Sequence, residues 1–104
     1  MILEVAILNV KRGQEMQFEI DFVTAGQFIS SIKGYVKHSL RQCIEQKNKY
    51  ILLVDWENLE DHTVGFRQST QYLEWKKLLH HYYYPFPTVE HYELIIENEN
   101  KNNS

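Results

Sequence analysis

The chain has 104 residues, enough for one hydrophobic core but few enough that self-association often adds stability to domains of this size. Acidic residues number 14 and basic residues 11, for a formal charge of -3, and the scattered Lys and Arg residues argue against nucleic-acid binding. The single cysteine cannot form an internal disulfide, and the sequence shows no apparent signal peptide and no apolar run long enough to cross a bilayer. We therefore expect a cytoplasmic protein without a membrane partner.

The first part of the chain predicts a strand, a helix and a second strand. Ile2 to Val10 is dominated by Ile, Leu and Val, which is typical of a mostly buried strand. From Gln14 to Ile32 the apolar residues recur at helical spacing, and Gly26 marks a place for a bend or for a split into two shorter helices. Gly34 is suited to end this helix in a left-handed turn, and Tyr35 to Glu45 then alternates apolar and polar residues as a strand does.

A third strand and a short helix follow. Tyr50 to Trp56 is apolar enough for a strand, and the polar turn before it predicts a hairpin with the second strand. Asn58 is placed to cap the next helix, and Asp61 occupies the capping-box position. We expect this helix to be brief and to end near Gly65.

The last part of the chain predicts an aromatic helix, a closing strand and a tail. Ser69 or Thr70 can cap the helix, two prolines stop it, and Thr88 to Ile96 alternates well enough for a fourth strand. Residues 98–104 are polar and predict a disordered tail, which leaves a single domain over residues 1–97.

The order of these elements predicts an α+β ferredoxin-like fold, a βαββαβ arrangement with an antiparallel sheet and both helices on one face. Consecutive apolar residues at Val5 to Leu8 and at Ile51 to Val54 indicate that both faces of these strands are removed from water. The helices of one short chain can cover only one face. We therefore expect a homodimer, in which a second copy of the sheet covers the other face across a two-fold axis.

Histidines are candidates for acid–base chemistry, and each has a structural alternative. His62 can present an imidazole to a pocket as a base or hydrogen-bond donor, or can be an exposed helical residue that packs on the sheet edge. His80 can be catalytic, or with Lys76 can offset the dipole at a helix C-terminus. The spacing of the 5 histidines and 1 cysteine is not that of a metal site.

Aromatic residues are concentrated in the second half of the chain, among them Trp56, Phe66, Tyr72 and Trp75. Large rings of this kind form cores and dimer interfaces, where they contribute most to stability. Aromatic walls with a few polar groups are also what a pocket for a flat organic molecule needs. The pattern leaves both interpretations open.

Three short pieces of sequence carry a resemblance to a known family: the corner Trp56-Glu57-Asn58-Leu59, His62 in the following helix, and Glu90-His91-Tyr92 in the closing strand. The chain resembles the antibiotic biosynthesis monooxygenase family, which has the dimeric α+β barrel fold. The resemblance implies a monooxygenase that works without metal or flavin in an apolar pocket between sheet and helices. A deprotonated phenol or hydroquinone is electron-rich enough to react with dioxygen itself, so the protein supplies orientation and a proton acceptor.

The resemblance also implies which residues form the site. The implied catalytic residues, a proton acceptor and orienting donors, are His62, Tyr72 and Asn58. The implied substrate pocket contains Asn9, Trp56, Phe66, Trp75 and His80. The expected partners are a second copy of the chain and a small aromatic or quinol-like molecule, with no cofactor.

Two alternatives stay open. A haem-degrading branch of the same superfamily uses an Asn on the first strand, which Asn9 matches, a Trp, and an axial His. Gly65 or Phe66 stands where that Trp should be and Lys76 stands near the His, so a haem protein requires His80 as the axial ligand. The other alternative is a dimeric ligand-binding or stress-related module without turnover, because a fold alone does not fix a function.

Overall fold

The computed structural model describes residues 1–101, which form a 4-stranded antiparallel sheet with helices packed on one face. The strands are β1 (Ile2–Asn9), β2 (Tyr35–Gln42), β3 (Lys49–Trp56) and β4 (Val89–Glu93), and the α-helices are α1 (Glu15–Ile29) and α2 (Thr70–Leu79). A π-helical turn spans Asp61–Phe66, and a 3-10 turn spans His80–Tyr82. The strand order β2-β3-β1-β4 is that of the ferredoxin-like fold, so the predicted α+β fold class is confirmed.

The core lies between the helices and one face of the sheet. Side chains alternate along a strand, so every second residue of β3 points to this face and is buried, as are Glu4, Ala6 and Leu8 of β1. On α1, the rings of Phe18 and Phe22 pack edge to face with centroids 5.6 Å apart. Phe18 also contacts Tyr50 of β3, and Phe22 contacts Trp75 of α2. These aromatic contacts join both helices to the sheet.

Two glycines matter for the path of the chain. α1 runs unbroken through Gly26, so the predicted split of this helix did not occur. A Cβ at Gly26 would lie 3.2 Å from the imidazole of His38 on β2, and a glycine permits this close approach of helix to strand. Gly34 has a φ of 88° and forms the left-handed turn that the sequence predicts.

Both outer strands end earlier than their sequence patterns predict. β2 ends at Gln42 rather than Glu45, and β4 ends at Glu93 rather than Ile96. In β4 the reason is register. Glu93 pairs with Ile2, the first residue of β1, so the residues that follow find no partner strand within residues 1–101.

The polar C-terminal tail is only partly described. Residues 94–100 form neither helix nor strand, and residues 102–104 lie outside the described residues. A disordered tail over residues 98–104, after a single domain at 1–97, therefore stays a prediction. None of the helices in the part of the chain that the structure describes is long and apolar enough to cross a bilayer.

The second face of the sheet carries apolar side chains that no helix within residues 1–101 covers. Leu3 and Val5 of β1 share this face with Leu53 of β3, and Ile7 is 38% exposed. The sheet of a single chain is open on this side. The closed barrel of two sheets, and the homodimer itself, stay predictions.

The homodimer can be tested on the open face. We expect the wild-type chain to sediment as a dimer and Val5→Lys to sediment as a folded monomer, because a second sheet would bury the lysine charge without a partner. Gln27→Lys, on the exposed side of α1, adds the same charge away from this face and should stay dimeric. A stable wild-type monomer at micromolar concentration, with native circular dichroism, would contradict the prediction.

Candidate functional site

A cavity of about 360 Å³ lies between the sheet and α2. Its floor comes from three strands, its walls from the π-helical turn and α2, and its rim from the segment before β4. Apolar and aromatic side chains share the lining about equally with polar groups, so the cavity can both bury a small organic molecule and orient it. The lining residues are Glu4, Ala6, Leu8, Leu52, His62, Arg67, Tyr72, Trp75, His80, Tyr83, Phe86, Pro87 and Val89.

Glu4 is the most unusual residue of the cavity wall. Alternation along β1 points its carboxyl group to the helix-covered face, where only 4% of the residue is exposed. The indole Nε1–H of Trp56 donates a hydrogen bond of 2.9 Å to Glu4 Oε1. Burial raises the pKa of Glu4 to about 7, although the Trp56 hydrogen bond and the charge of Arg67 oppose this rise. Near neutral pH this group can therefore both accept and release a proton.

His62 lies against Glu4 and is also buried, with 3% of its surface exposed, so the alternative of an exposed helical residue is wrong. Its ring stacks on Trp56 with centroids 5.4 Å apart. Its Nε2 lies 3.4 Å from Glu4 Oε1. Burial, and then the charges of Arg67 and His91, lower the pKa of His62 to about 3. The contact is therefore a neutral imidazole beside a carboxyl group, rather than an ion pair.

The π-helical turn is what positions His62. Before this turn, Asp61 Oδ2 accepts a hydrogen bond of 3.1 Å from the backbone N–H of Asn58, which is one half of the predicted capping box. The backbone N–H of Arg67 then donates to the carbonyl of His62 at 3.2 Å, the wide spacing of a π-helix. The sequence predicted an ordinary short helix ending near Gly65. Such π turns are frequent at functional sites because the wider turn re-aims side chains.

Four of the residues predicted for the site line the cavity: His62, Tyr72, Trp75 and His80. Ser69 caps α2 by accepting a hydrogen bond of 3.1 Å from the backbone N–H of Tyr72, which holds this ring at the cavity. Burial, and then the charge of Lys76, lower the pKa of His80. At neutral pH His80 is therefore uncharged, which argues against a role as the cationic end of α2.

The other four predicted site residues lie elsewhere. Trp56 and Phe66 are buried behind the cavity wall, with ring centroids 6.0 Å apart. Asn58 is exposed at the corner after β3, where its amide contacts Asp61 at 3.4 Å. Side chains alternate between the two faces along β1, and Asn9 is an odd number of residues from Glu4. Its side chain therefore lies on the other face of the sheet.

The position of Asn9 also bears on the haem alternative. That alternative requires Asn9 and His80 to face one ligand, but His80 lines the cavity and Asn9 lies behind the sheet that floors it. The residues present therefore do not fit a haem site of that kind. Within residues 1–101, no group of three or more His, Cys, Asp or Glu side chains is placed to hold a metal ion.

Sequence reasoning missed Glu4 and Arg67, and it named His91 as part of the resemblance but gave it no role in the site. The signal for Glu4 was a single carboxylate in the middle of an apolar strand, where a charged residue is rarely buried without a partner. His91 lies directly opposite Glu4 in the register of β1 and β4. Its Nε2 lies 2.8 Å from His62 Nδ1, so the two rings share a hydrogen bond.

Comparisons with known proteins match this chain to a family. Residues 1–78 match the profile of the family described as antibiotic biosynthesis monooxygenase. The uncharacterized protein YczJ of Bacillus subtilis (strain 168) is 56% identical to this chain over 95 residues, which covers 91% of this chain and 100% of that protein.

Solved structures share the fold. A Bordetella bronchiseptica protein assigned to the antibiotic biosynthesis monooxygenases superposes with a TM-score of 0.87 and 34% identity, covering 91% of this chain and 97% of that one. SnoaB from Streptomyces nogalater, described as a cofactor-independent oxygenase, superposes with a TM-score of 0.65 and 21% identity, covering 96% of this chain and 95% of SnoaB. The likeness to SnoaB is one of fold, whereas the likeness to the other two extends to sequence.

Proposed function

The chain belongs to the antibiotic biosynthesis monooxygenase family, and we propose that it is a cofactor-independent monooxygenase of phenol-type organic molecules in which Glu4 is the general base. The observation that carries this proposal is the buried Glu4 carboxyl group on the wall of a cavity that also has aromatic walls, with a pKa of about 7. A general base works best when its pKa lies near the working pH.

The cavity supports an aromatic substrate. Its volume of about 360 Å³ lies in the range of sites for small organic molecules. Leu52 and Val89 offer flat apolar surface from the sheet, and Trp75 and Phe86 face them from the helix side and the rim. A planar ring system can be held between these surfaces, with its acidic O–H or C–H directed to Glu4.

The reaction that suits this site needs no outside electrons. Glu4 takes a proton from an anthrone-type CH₂ group or its phenolic tautomer, and the resulting anion gives one electron to dioxygen. The radical pair combines to a peroxide, which takes up a proton. Loss of the second C–H proton then breaks the O–O bond, so that CH₂ and O₂ become C=O and H₂O. The residues contribute the base, the orientation and exclusion of water.

His62 has a different role from the one that the sequence implies. A histidine whose pKa is lowered to about 3 is a weak base, whereas Glu4 at about 7 is a better one. His62 and Trp56 instead contact the Glu4 carboxyl group, at 3.4 Å and 2.9 Å. Tyr72 on the cavity wall stays a candidate for orienting the substrate through its hydroxyl group.

The SnoaB comparison supports the proposal in a limited way. SnoaB is described as a cofactor-independent oxygenase, and its likeness to this chain shows a shared fold. That such chemistry is carried out on this scaffold supports the choice of reaction class. It does not bear on the residues, because function resides in a site rather than in a fold.

An oxygen-uptake screen tests the proposed function. We expect metal-free, flavin-free protein to consume dioxygen with members of a panel of anthrones, one O₂ per quinone formed and without release of hydrogen peroxide. With isotopically labelled dioxygen, one labelled oxygen atom should enter an anthrone product. His81→Gln, which changes an exposed histidine, should match wild type. Binding of panel members without oxygen uptake would contradict the proposal and favour the ligand-binding module.

A further inference from the structure

A chain of three titratable side chains runs from the cavity to the edge of the sheet. Glu4 and His62 both line the cavity, with His62 Nε2 3.4 Å from Glu4 Oε1, and His91 Nε2 lies 2.8 Å from His62 Nδ1. From this geometry we infer that His62 and His91 form a proton relay, which connects Glu4 to solvent at β4. The inference rests on the proposed function, because it describes where the proton goes after Glu4 has taken it.

The fold places these groups in line. β1 is an inner strand of the sheet and β4 is an outer one, and Glu4 pairs with His91 across the two strands. Paired residues point to the same face, so His91 rises beside Glu4 and meets the buried ring of His62. His91 is itself half-buried. The inner end of the relay is therefore dry, and the outer end has access to water.

The atoms allow a balanced transfer. Protonated Glu4 gives its proton to Nε2 of His62 while His62 gives the proton on Nδ1 to Nε2 of His91. His91 in turn releases the proton on Nδ1 to water. One proton enters and one leaves, Glu4 is ionised again, and both imidazoles have changed tautomer.

The proposed reaction also resets the relay. The substrate anion must wait for dioxygen, and during that time an ionised Glu4 cannot return the proton to it. The peroxide formed next needs a proton, which can enter from solvent by the same path in reverse. This return transfer restores the starting tautomers of His62 and His91. Over one complete turnover no proton is gained or lost, as the conversion of CH₂ and O₂ to C=O and H₂O requires.

Electrostatics favour passage of the proton over its retention on a ring. Burial, and then the charge of Arg67, lower the pKa of both His62 and His91. An imidazolium ion is therefore disfavoured at either ring. A proton then moves through the pair by exchange of tautomers, without a stable cation on the way.

A measurement without substrate tests the relay independently of the proposed function. With carbon-labelled glutamate, NMR line shapes at the midpoint of the Glu4 titration report how fast this carboxyl group exchanges its proton with solvent. We expect His91→Gln, which can still hydrogen-bond His62, to leave the midpoint unchanged and to slow the exchange roughly tenfold or more. In His91→Ala, added imidazole should restore the exchange rate. His81→Gln is the matched control.

An anaerobic experiment tests the same relay with substrate. Wild type should release a proton to a pH-indicator dye as the substrate anion forms, and in His91→Gln the anion should form with delayed proton release. Unchanged exchange and unchanged release in His91→Gln would overturn the relay. If no anion forms in wild type, the proposed function fails, and the substrate-free line shapes still decide on the relay.

Discussion

Glu4→Gln is expected to lower kcat by about 10²- to 10⁴-fold, the usual contribution of a general base, with little change in KM. Glutamine has the shape of the glutamic acid side chain, and its carbonyl can still accept the hydrogen bond from Trp56 Nε1 that Glu4 accepts at 2.9 Å. The substitution therefore removes the base while keeping the packing. Initial rates of oxygen uptake, with the best substrate of the screen, measure the effect.

The pH profile separates this role from a structural one. In wild type kcat/KM should rise with pH through about 7, as Glu4 loses its proton, and Glu4→Gln should lose this step. Glu74→Gln, which changes an exposed carboxylate on α2, should keep both the rate and the step. Full activity in Glu4→Gln would contradict the assignment of the base.

Because Glu4 has a raised pKa, we also expect it to make the free energy of unfolding depend on pH. The pKa of Glu4 is about 7 in the folded chain against its ordinary value of 4.5, so the protonated group favours the folded state. This stabilisation is fully present below 4.5 and is lost as the pH rises through about 7. The difference between the two pKa values corresponds to about 3 kcal/mol. At about pH 8, Glu4→Gln should be more stable than wild type by up to this amount.

His62 acts in the opposite direction and does not hide the effect. Its pKa is lowered from 6.5 to about 3, so its stabilisation is present above 6.5 and is lost as the pH falls toward 3. Both proteins keep His62 buried, so the burial that mainly lowers its pKa cancels in their difference. Urea unfolding at several pH values, at one protein concentration, should give a difference that is near zero at about pH 4 and grows toward about pH 8. A difference that does not change with pH would contradict the raised pKa.

The predicted loss of activity and gain of stability in Glu4→Gln together describe a site that lowers the free energy of unfolding. An ionised carboxylate in a dry wall is unfavourable for the folded state, and the same burial makes Glu4 a stronger base. Natural active sites commonly hold such destabilising groups. A Glu4→Gln variant that is more stable than wild type but inactive would show that burial of Glu4 raises activity and lowers stability.

Much of the fold followed from local patterns. Helical spacing on α1, alternation on β2 and the Ser69 cap of α2 each depend on residues close together in the chain. The βαββαβ order of these elements then predicted the ferredoxin-like arrangement with an antiparallel sheet. The apolar runs of β1 and β3 predicted a sheet that needs cover on both sides, and the structure has helices on one of them.

The site depended on the tertiary structure. Glu4 interrupted an apolar strand, but its partners Trp56, His62 and His91 come from β3, the π-helical turn and β4. The register of β1 with β3 and β4, together with the wide π turn, brings these side chains to one point. The alternation along a strand shows on which face of the sheet a side chain lies, and it places Asn9 and Glu4 on opposite faces. Which residues meet on that face is set by pairing between distant segments, which no local pattern encodes.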